Sequence, residues 1–445
     1  MILSFLRGHT FSHGVRVAHH KEQTASRPIR RLPFPERLIL PLDPHIGKPA
    51  VPLVRRGQEV VRGEPIARAD GWMSLPIHAP ATGRVVALEP MPTPRGPRRP
   101  AIVLEVDPAD TQEMGWGEPR DPLAMDRETL IAAIQESGLA GLGGAAFPTH
   151  VKLSVPPEQR VDTLLINGCE CEPYLTCDHR IMLEQTDDLV TGIRIAMRAT
   201  GVQEAVIGVE NNKPDAVAAI RAGLREEDPI RVVVVESKYP QGAEKMLIKA
   251  ALGREVPPGG IPAQVGVVVN NVGTMAALGH LLPRGEGLVE RVITVAGPAV
   301  RRPGNYRVAL GTPIEFILRH CGFEGKMGEF ILGGPMMGSA VSAVETPITK
   351  GTSGVLMLHE REIEAESRPA EHCIRCGRCV EACPMHLNPC ELGWLARKRE
   401  YDTMAERFHL MDCFECGCCS FVCPASIPLV QYFRIAKSIL REQAT

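Results

Sequence analysis

Eight cysteines near the C-terminus follow one spacing twice: Cys373-x-x-Cys376-x-x-Cys379-x-x-x-Cys383-Pro384 and, offset by 40 residues, Cys413-x-x-Cys416-x-x-Cys419-x-x-x-Cys423-Pro424. Each compact run can wrap three thiolates around one cubane [4Fe–4S] cluster, and the distant Cys before Pro ligates the other cluster in proteins with this pattern. The spacing therefore predicts one cluster on Cys373, Cys376, Cys379 and Cys423, and a second on Cys413, Cys416, Cys419 and Cys383. Eight such ligands imply one-electron transfer. Structural zinc closes with four ligands, commonly two C-x-x-C pairs, which leaves the third Cys of each run and the Cys-Pro unexplained. A disulfide framework belongs to secreted chains, and the apolar run in Met1-Ile-Leu-Ser-Phe-Leu-Arg-Gly8 is too short for a signal peptide. That segment reads instead as a frayed terminus or a short amphipathic anchor.

A second set of residues has the types that hold a nucleotide. In Gly138-Leu-Ala-Gly141-Leu-Gly143-Gly144-Ala-Ala-Phe147-Pro148-Thr-His-Val-Lys152, close glycines let backbone amides approach a phosphate, and Lys152 adds a point charge. Alone, the same loop is equally well a tight structural turn. Three polar segments accompany it: Asn167-Gly-Cys-Glu170-Cys-Glu172-Pro173, Tyr239-Pro-Gln-Gly242-Ala-Glu244-Lys245 and Asn270-Asn271-Val-Gly-Thr274. Singly, each reads as a turn or cap; four beside the strands of one sheet read as a ligand site. Of the remaining cysteines, Cys418 is out of register with the ligand spacing and reads as a packed thiol. Cys169, Cys171 and Cys177 follow no standard cubane spacing, and Cys321 and Cys390 read as core residues.

The elements that must position these groups form a multidomain α/β chain. Residues 1–125 read as a β domain of the barrel-sandwich kind, with short strands such as Arg37–Pro41 and Gly83–Leu88 punctuated by Gly57, Gly63 and Gly83. The cadence resembles biotinyl or lipoyl domains, but no lysine lies between Gly57 and Gly83, so the module reads as structural. The Pro/Arg-rich Glu89–Pro100 reads as an exposed loop. Residues 126–288 alternate strands (Thr163–Asn167, Ala205–Val209, Arg231–Val235, Gly266–Asn270) with helices near 127–137, 180–199, 213–224 and 242–251, the pattern of a largely parallel sheet. Asp126 is placed to cap the first of these helices. Residues 289–367 suggest a β-grasp-like (SLBB-type) module and connector, and 368–445 a helical two-cluster ferredoxin-like domain closed by a helix over Leu429–Arg441.

Composition narrows the function classes. A chain of 445 residues, 44% hydrophobic and with a formal net charge of −2, has ordinary globular cores and no basic field to attract nucleic acid. No stretch approaches the ~18 continuous apolar residues that span a bilayer. A peripheral subunit docked on a membrane partner remains compatible with both facts.

The glycine loop with Phe147-Pro148-Thr149 and Lys152, the Asn167 to Pro173 segment and Asn270-Asn271-Val272-x-Thr274 resemble the flavin-carrying, NADH-oxidising subunit of respiratory complex I. Over nearly the whole chain the sequence is similar to the C subunits of the Rnf (Rsx) ion-translocating electron transport complex. The matching phrases include His45-Ile-Gly47, His78-Ala-Pro80, Cys171-Glu-Pro-Tyr174, Lys238-Tyr-Pro240, Gly333-Gly-Pro-Met-Met-Gly338, both cluster motifs and Ile427-Pro-Leu-Val-Gln-Tyr-Phe433. The resemblance implies FMN held noncovalently by Gly141, Gly143, Gly144, Lys152, Asn167, Glu170, Tyr239, Gly242, Asn270, Asn271 and Thr274, with Phe147, Glu172 and Glu244 on the nicotinamide side of an NAD(H) substrate. It implies an electron-transfer subunit passing electrons between NADH, FMN and the two clusters, peripheral on the cytoplasmic face of the bacterial inner membrane. Its implied partners are integral-membrane and iron–sulfur subunits, with ferredoxin reached indirectly. The chain departs from the complex I relative at Ala243, a glutamate there, and at Ala140 and Leu142, arginines there. Two other readings share these motifs: a cobalamin reductase, whose barrel-sandwich domain follows the flavin core instead of preceding it, and a flavin-free electron wire and docking subunit.

Overall fold

The computed structural model describes residues 9–94, 96–156, 158–323, 330–359 and 368–443. The N-terminal Met1–Gly8 segment and residues 360–367 of the expected connector lie outside them. In the barrel-sandwich region, a four-stranded sheet orders Arg37–Pro41, Gly96–Val106, Gly83–Thr93 and Glu59–Val60, opposite a three-stranded sheet of Val51–Pro52, Pro65–Arg68 and Ile77–His78. Leu38, Ile66, Val85, Ile102 and Leu104 are buried between them. The segment expected as a loop, Glu89–Pro100, instead extends the antiparallel hairpin of Gly83–Thr93 with Gly96–Val106. Its prolines are tolerated because Glu89, Pro90 and residues 96–100 lie on an exposed ribbon, where a missing ladder amide costs little.

The central domain carries an all-parallel sheet in the order Ile230–Val235, Glu204–Glu210, Thr163–Gly168, Val267–Asn271. Apart from the edge strand Ile230–Val235, which leaves Arg231 and Val234 exposed, its strands are apolar on both faces because both faces are covered: Leu164, Ile166, Ile207 and Val268 enter one core, and Leu165, Val206, Val233 and Val269 another, under Leu247 and Ile248. The helix expected over 180–199 is two helices, Cys177–Glu184 and Thr186–Thr200, meeting at Gln185. Thr186–Thr200 crosses Val272–Arg284 at bare backbone. A β-carbon at Gly279 would lie 1.9 Å from the Asp188 carbonyl oxygen, and one at Gly192 would lie 1.8 Å from that of Met275. Gly279→Ala must push the two helices apart, so it is expected to destabilise the chain by about 1–3 kcal/mol. An unchanged Tm in thermal melts would refute that packing argument.

A six-stranded mixed sheet follows, ordered Ile29–Arg31, Gly304–Ala309, Glu290–Ala296, Gly354–Met357, Phe330–Leu332, Ser339–Val341. The helix Ile314–Cys321 packs Ile314, Ile317, Leu318 and Cys321 onto it. One of its edge strands, Ile29–Arg31, comes from the N-terminal segment. Upstream of that strand, residues 9–24 form a strap. The His9 carbonyl accepts the Glu236 amide, Val15 bridges Tyr239, the Gly14 amide donates to Ala382 and the His19 carbonyl accepts the Tyr174 amide. The strap therefore binds the central domain to the cysteine-rich one. The latter is built from Pro389–Lys398, Tyr401–Glu406 and Leu429–Gln443 around Leu392, Leu395, Met404, Leu429 and Phe433. Among the described residues no helix is long and apolar enough to cross a membrane.

Candidate functional site

The sheet order reverses direction beside Thr163–Gly168, and the register sets Asn271 opposite Asn167. Two amide side chains thus stand at the carboxyl ends of adjacent strands at the crossover, where open α/β sheets bind ligands. A cavity of about 520 Å³ opens there, lined by Gly143, Asn167, Glu170, Glu172, Tyr239, Gly242, Glu244 and Asn271 among the expected residues. Gly144 lines an adjoining cavity of about 550 Å³, which reaches Asp43 and Arg99 of the barrel-sandwich domain and Gly334 of the β-grasp module. Gly143, Glu172, Met337 and Ser353 belong to both cavities, so the structural β module also walls the site.

The other expected residues support this crevice instead of lining it. Gly141 and Phe147 close the glycine turn, with the Gly141 amide donating to the Phe147 carbonyl at 2.8 Å. Thr274 accepts the Leu142 amide at 2.9 Å and so anchors the loop. Lys152 forms an ion pair with Glu244, so this lysine is held by a carboxylate and does not stand free for a phosphate. The glycine loop set Lys152 toward a phosphate and the family resemblance implied Glu244 on the nicotinamide side; the fold brings the two together. Arg291, which sequence reasoning missed, donates to the Leu142 carbonyl at 3.1 Å and braces the same loop from the β-grasp sheet.

Glu170 caps the helix Cys177–Glu184, its two carboxylate oxygens accepting the amides of Asp178 at 2.9 Å and His179 at 3.3 Å. Lys21 of the strap donates to the Glu170 carbonyl. Asp178, also missed, accepts the Asn271 side-chain amide at 2.6 Å; its only sequence signal is an acidic residue in a helix's first turn. Burial, reinforced by the Glu170 charge, pushes the Asp178 carboxyl up to about 7. Raised above its unfolded value of about 3.9, the group contributes stability that is complete below that value and lost as pH rises through about 7. Asp178→Asn is therefore expected to gain Tm over the parent chain as pH goes from 5 to 8 in flavin-free thermal melts. Parallel curves would refute this.

Glu172 ties the domains together. Its carboxylate accepts the amides of Met336 at 3.0 Å and Met337 at 2.8 Å, and burial raises its pKa against those donors. Tyr239, buried, donates its hydroxyl to the Cys416 carbonyl at 2.6 Å. Met411, Asp412, Cys413 and Phe414 then complete the wall of the strand-end cavity. The ligand loop of the second cysteine run thus forms part of the pocket.

The two runs fold alike. Left-handed positions recur at the same offset, Arg375 with Glu415 and Gly377 with Gly417, and the amides of Arg375 and Glu415 each donate to the sulfur of Cys373 and Cys413, both at 3.4 Å. Cys373, Cys376, Cys379 and Cys423 line one cavity of about 590 Å³. Cys419 lies near Cys413, Cys416 and Cys383. Cys423 therefore stands with the first run and Cys383 with the second. Cys373 and Cys376 are exposed, whereas Cys383, Cys416 and Cys419 are buried. Cys418 is a buried free thiol that donates a hydrogen bond to the Cys416 sulfur, and Cys321 is buried. Cys390 is not a core residue: it is only partly buried, and it lines the first cavity.

Comparison with known proteins agrees with this layout. Family models match residues 9–109 as an RnfC barrel sandwich hybrid domain, 134–280 as a Nuo51 FMN-binding domain, 292–340 as an SLBB domain and 372–427 as a 4Fe-4S dicluster domain. The C subunit of the proton-translocating ferredoxin:NAD(+) oxidoreductase complex of Clostridium ljungdahlii is 43% identical over 430 residues, covering 96% of this chain and 93% of the relative. The chain belongs to this RnfC family. The Na(+)-translocating counterpart of Acetobacterium woodii is 40% identical, with 96% of each chain covered. The C subunit of the ion-translocating oxidoreductase complex of Pseudomonas aeruginosa is also 40% identical, over 98% of this chain but 56% of its own length. An NAD+-reducing [NiFe]-hydrogenase in the air-oxidised state shares the fold at a TM-score of 0.51 and 22% identity, covering 64% of this chain and 55% of the hydrogenase chain.

The residues fit the groups that these family models imply. The strand-end cavity is of the size that takes a small cofactor, and the buried amide nitrogen of Asn270, the residue before Asn271, has no hydrogen-bond partner among the described residues. Gly242 leaves no room for a side chain, because a β-carbon there would lie 2.6 Å from the Cys169 carbonyl. For the clusters, zinc bonds of about 2.3 Å hold four sulfurs about 3.8 Å apart. No three of the eight described thiols come within 4.8 Å of one another, so they are not drawn together as a closed zinc site would require. The N–H···S bonds from residues 375 and 415 are of the kind that tunes a cluster's potential.

Proposed function

We propose that this chain is the electron-transfer subunit of a membrane-bound, ion-translocating ferredoxin:NAD(+) oxidoreductase, with NADH, FMN and two [4Fe–4S] clusters in series. The observation that carries this reading is the shared wall: one cavity is bounded by the strand-end amides and by Met411 to Phe414 of the second ligand loop. A bound flavin accepts hydride and releases electrons singly. The chain's own part is positional. Asn167 and Asn271 orient the ligand at the crossover, the glycine loop admits it closely, and Glu172 and Tyr239 lock the β-grasp and cluster loops against it. The cluster on Cys413, Cys416, Cys419 and Cys383 is nearest the pocket, and the one on Cys373, Cys376, Cys379 and Cys423 is the exit.

The exit side also suits a partner. Around exposed Cys373 and Cys376 stand the exposed apolar residues Ile374, Val380 and Trp394, with Arg375, Arg378 and Arg397 beside them. Such a surface fits an acidic iron–sulfur subunit, with the whole chain held peripherally on the cytoplasmic face by membrane subunits. The barrel-sandwich model at 9–109, ahead of the flavin domain, favours this reading over a cobalamin reductase. Anaerobic analysis of the purified chain is expected to give about eight iron, eight sulfide and one FMN per chain, with flavin absorbance bleached by NADH. Full iron without flavin would leave only an electron wire, and a chain without iron would sink the scheme.

A further inference from the structure

Five thiols, not four, surround the first cluster cavity. Cys390 shares it with Cys373, Cys376, Cys379 and Cys423, and its sulfur lies 3.6 Å from that of Cys373, which is van der Waals contact between two free thiols. The two sulfurs sit on unlike supports. Cys390 is in the first turn of the helix Pro389–Lys398, whose N-terminus is capped by the Asn388 side chain accepting the Glu391 amide at 3.2 Å. Below that turn, Leu392, Leu395 and Ala396 are packed in the domain core. Cys373 precedes any helix, in a stretch whose residues from 368 to 376 are all exposed. The expected ligand is thus the more loosely held of the pair, and a rigid thiol stands beside it.

We propose that Cys390 is a reserve ligand of the first cluster, able to replace Cys373. In the exchange, the iron–sulfur bond to Cys373 breaks and one to Cys390 forms. The proton leaving Cys390 passes to the Cys373 thiolate, and no electron moves, so the cluster keeps its oxidation state. The neighbouring sulfurs make the swap a local shift, with no rearrangement of the other three ligands. A cluster at the exposed end of the chain, where a partner docks and undocks, would then survive loss of its outermost ligand.

The inference rests on the first run holding a cluster, and the experiment separates the two claims. Wild type, Cys373→Ala, Cys390→Ala, the double variant and Cys376→Ala would be reconstituted anaerobically, with iron and sulfide counted and the reduced clusters examined by EPR. Wild type, Cys373→Ala and Cys390→Ala are expected to hold about eight iron, with an altered EPR signal in Cys373→Ala; the double variant and Cys376→Ala are expected to hold about four, from an intact second cluster. If Cys373→Ala alone falls to about four iron, or the double variant still holds about eight, the reserve role is refuted while the cluster assignment stands. If wild type itself holds only about four, the assignment of the first run fails and takes this proposal with it.

Discussion

Cys413→Ala is expected to leave the bleaching of flavin absorbance by NADH nearly unchanged while cutting electron delivery to a one-electron acceptor by on the order of 100-fold or more, since even outer-shell changes at metal sites commonly cost 10–100-fold. The split follows from where Cys413 stands. It is at once an expected ligand of the second cluster and part of the pocket wall, so its loss interrupts the path at the first step out of the pocket. Iron should fall from about eight to about four per chain, with retained flavin showing that the central domain is intact. Cys376→Ala, at the far cavity, should also lose about four iron but still allow electrons onto the second cluster, visible by EPR after NADH addition. If instead Cys376→Ala blocks cluster reduction and Cys413→Ala does not, the order of the two clusters is the reverse of the one proposed.

The parts of this arrangement legible in the sequence are those whose physics is local. Runs such as Ala205–Val209 are doubly buried because both faces are covered, and they read directly as parallel strands, whereas Arg231–Val235, at the sheet edge, leaves Arg231 and Val234 exposed. Asp126 accepts the Thr129 amide at 2.9 Å, as a capping residue at that spacing should. The cysteine runs are legible because a metal core dictates short, repeated spacing. What could not be read depends on contacts across hundreds of residues. The strap over residues 9–24 has no periodicity, and its backbone bonds reach Tyr239 and Ala382. The pairing of Lys152 with Glu244 is equally invisible, because a lysine beside glycines looks the same whether its partner is a phosphate or a carboxylate. Pro90, Pro92, Pro97 and Pro100 argued for a loop because prolines break strands; the exception is this ribbon, on which Pro90, Pro97 and Pro100 are exposed to solvent.

Those long-range contacts also explain why the pocket has its present walls. Lys21 of the strap, Glu172 and Tyr239 each tie the central domain to another unit at the same crevice. On the proposed reading, flavin affinity and flavin-to-cluster transfer would be coupled through the loop from Asn167 to Tyr174, and the stability of that loop would be a functional quantity.

Beneath it lies a buried ion pair. The Lys213 ammonium donates to Glu210 at 2.5 Å, with both side chains almost wholly buried, and Glu210 ends the strand that pairs with Thr163–Gly168. Burial alone would lower the Lys213 pKa, but the charges of Glu210 and Glu170 more than offset it, and the net shift is upward. Lys213→Met should destabilise the chain by about 3–5 kcal/mol, since removing one partner leaves an uncompensated buried charge. The second Glu210 oxygen already lacks a hydrogen-bond partner among the described residues, so loss of Lys213 adds to an existing deficit. The double change Lys213→Met with Glu210→Met removes both charges and should recover most of that stability, as buried pairs replaced by apolar residues commonly do. Denaturant midpoints of the four proteins in the cycle measure this. If Lys213→Met alone proves as stable as the double variant, the pair is not what supports the floor of the pocket, and Lys21, whose nearby ammonium is also buried, would have to neutralise Glu210 by itself.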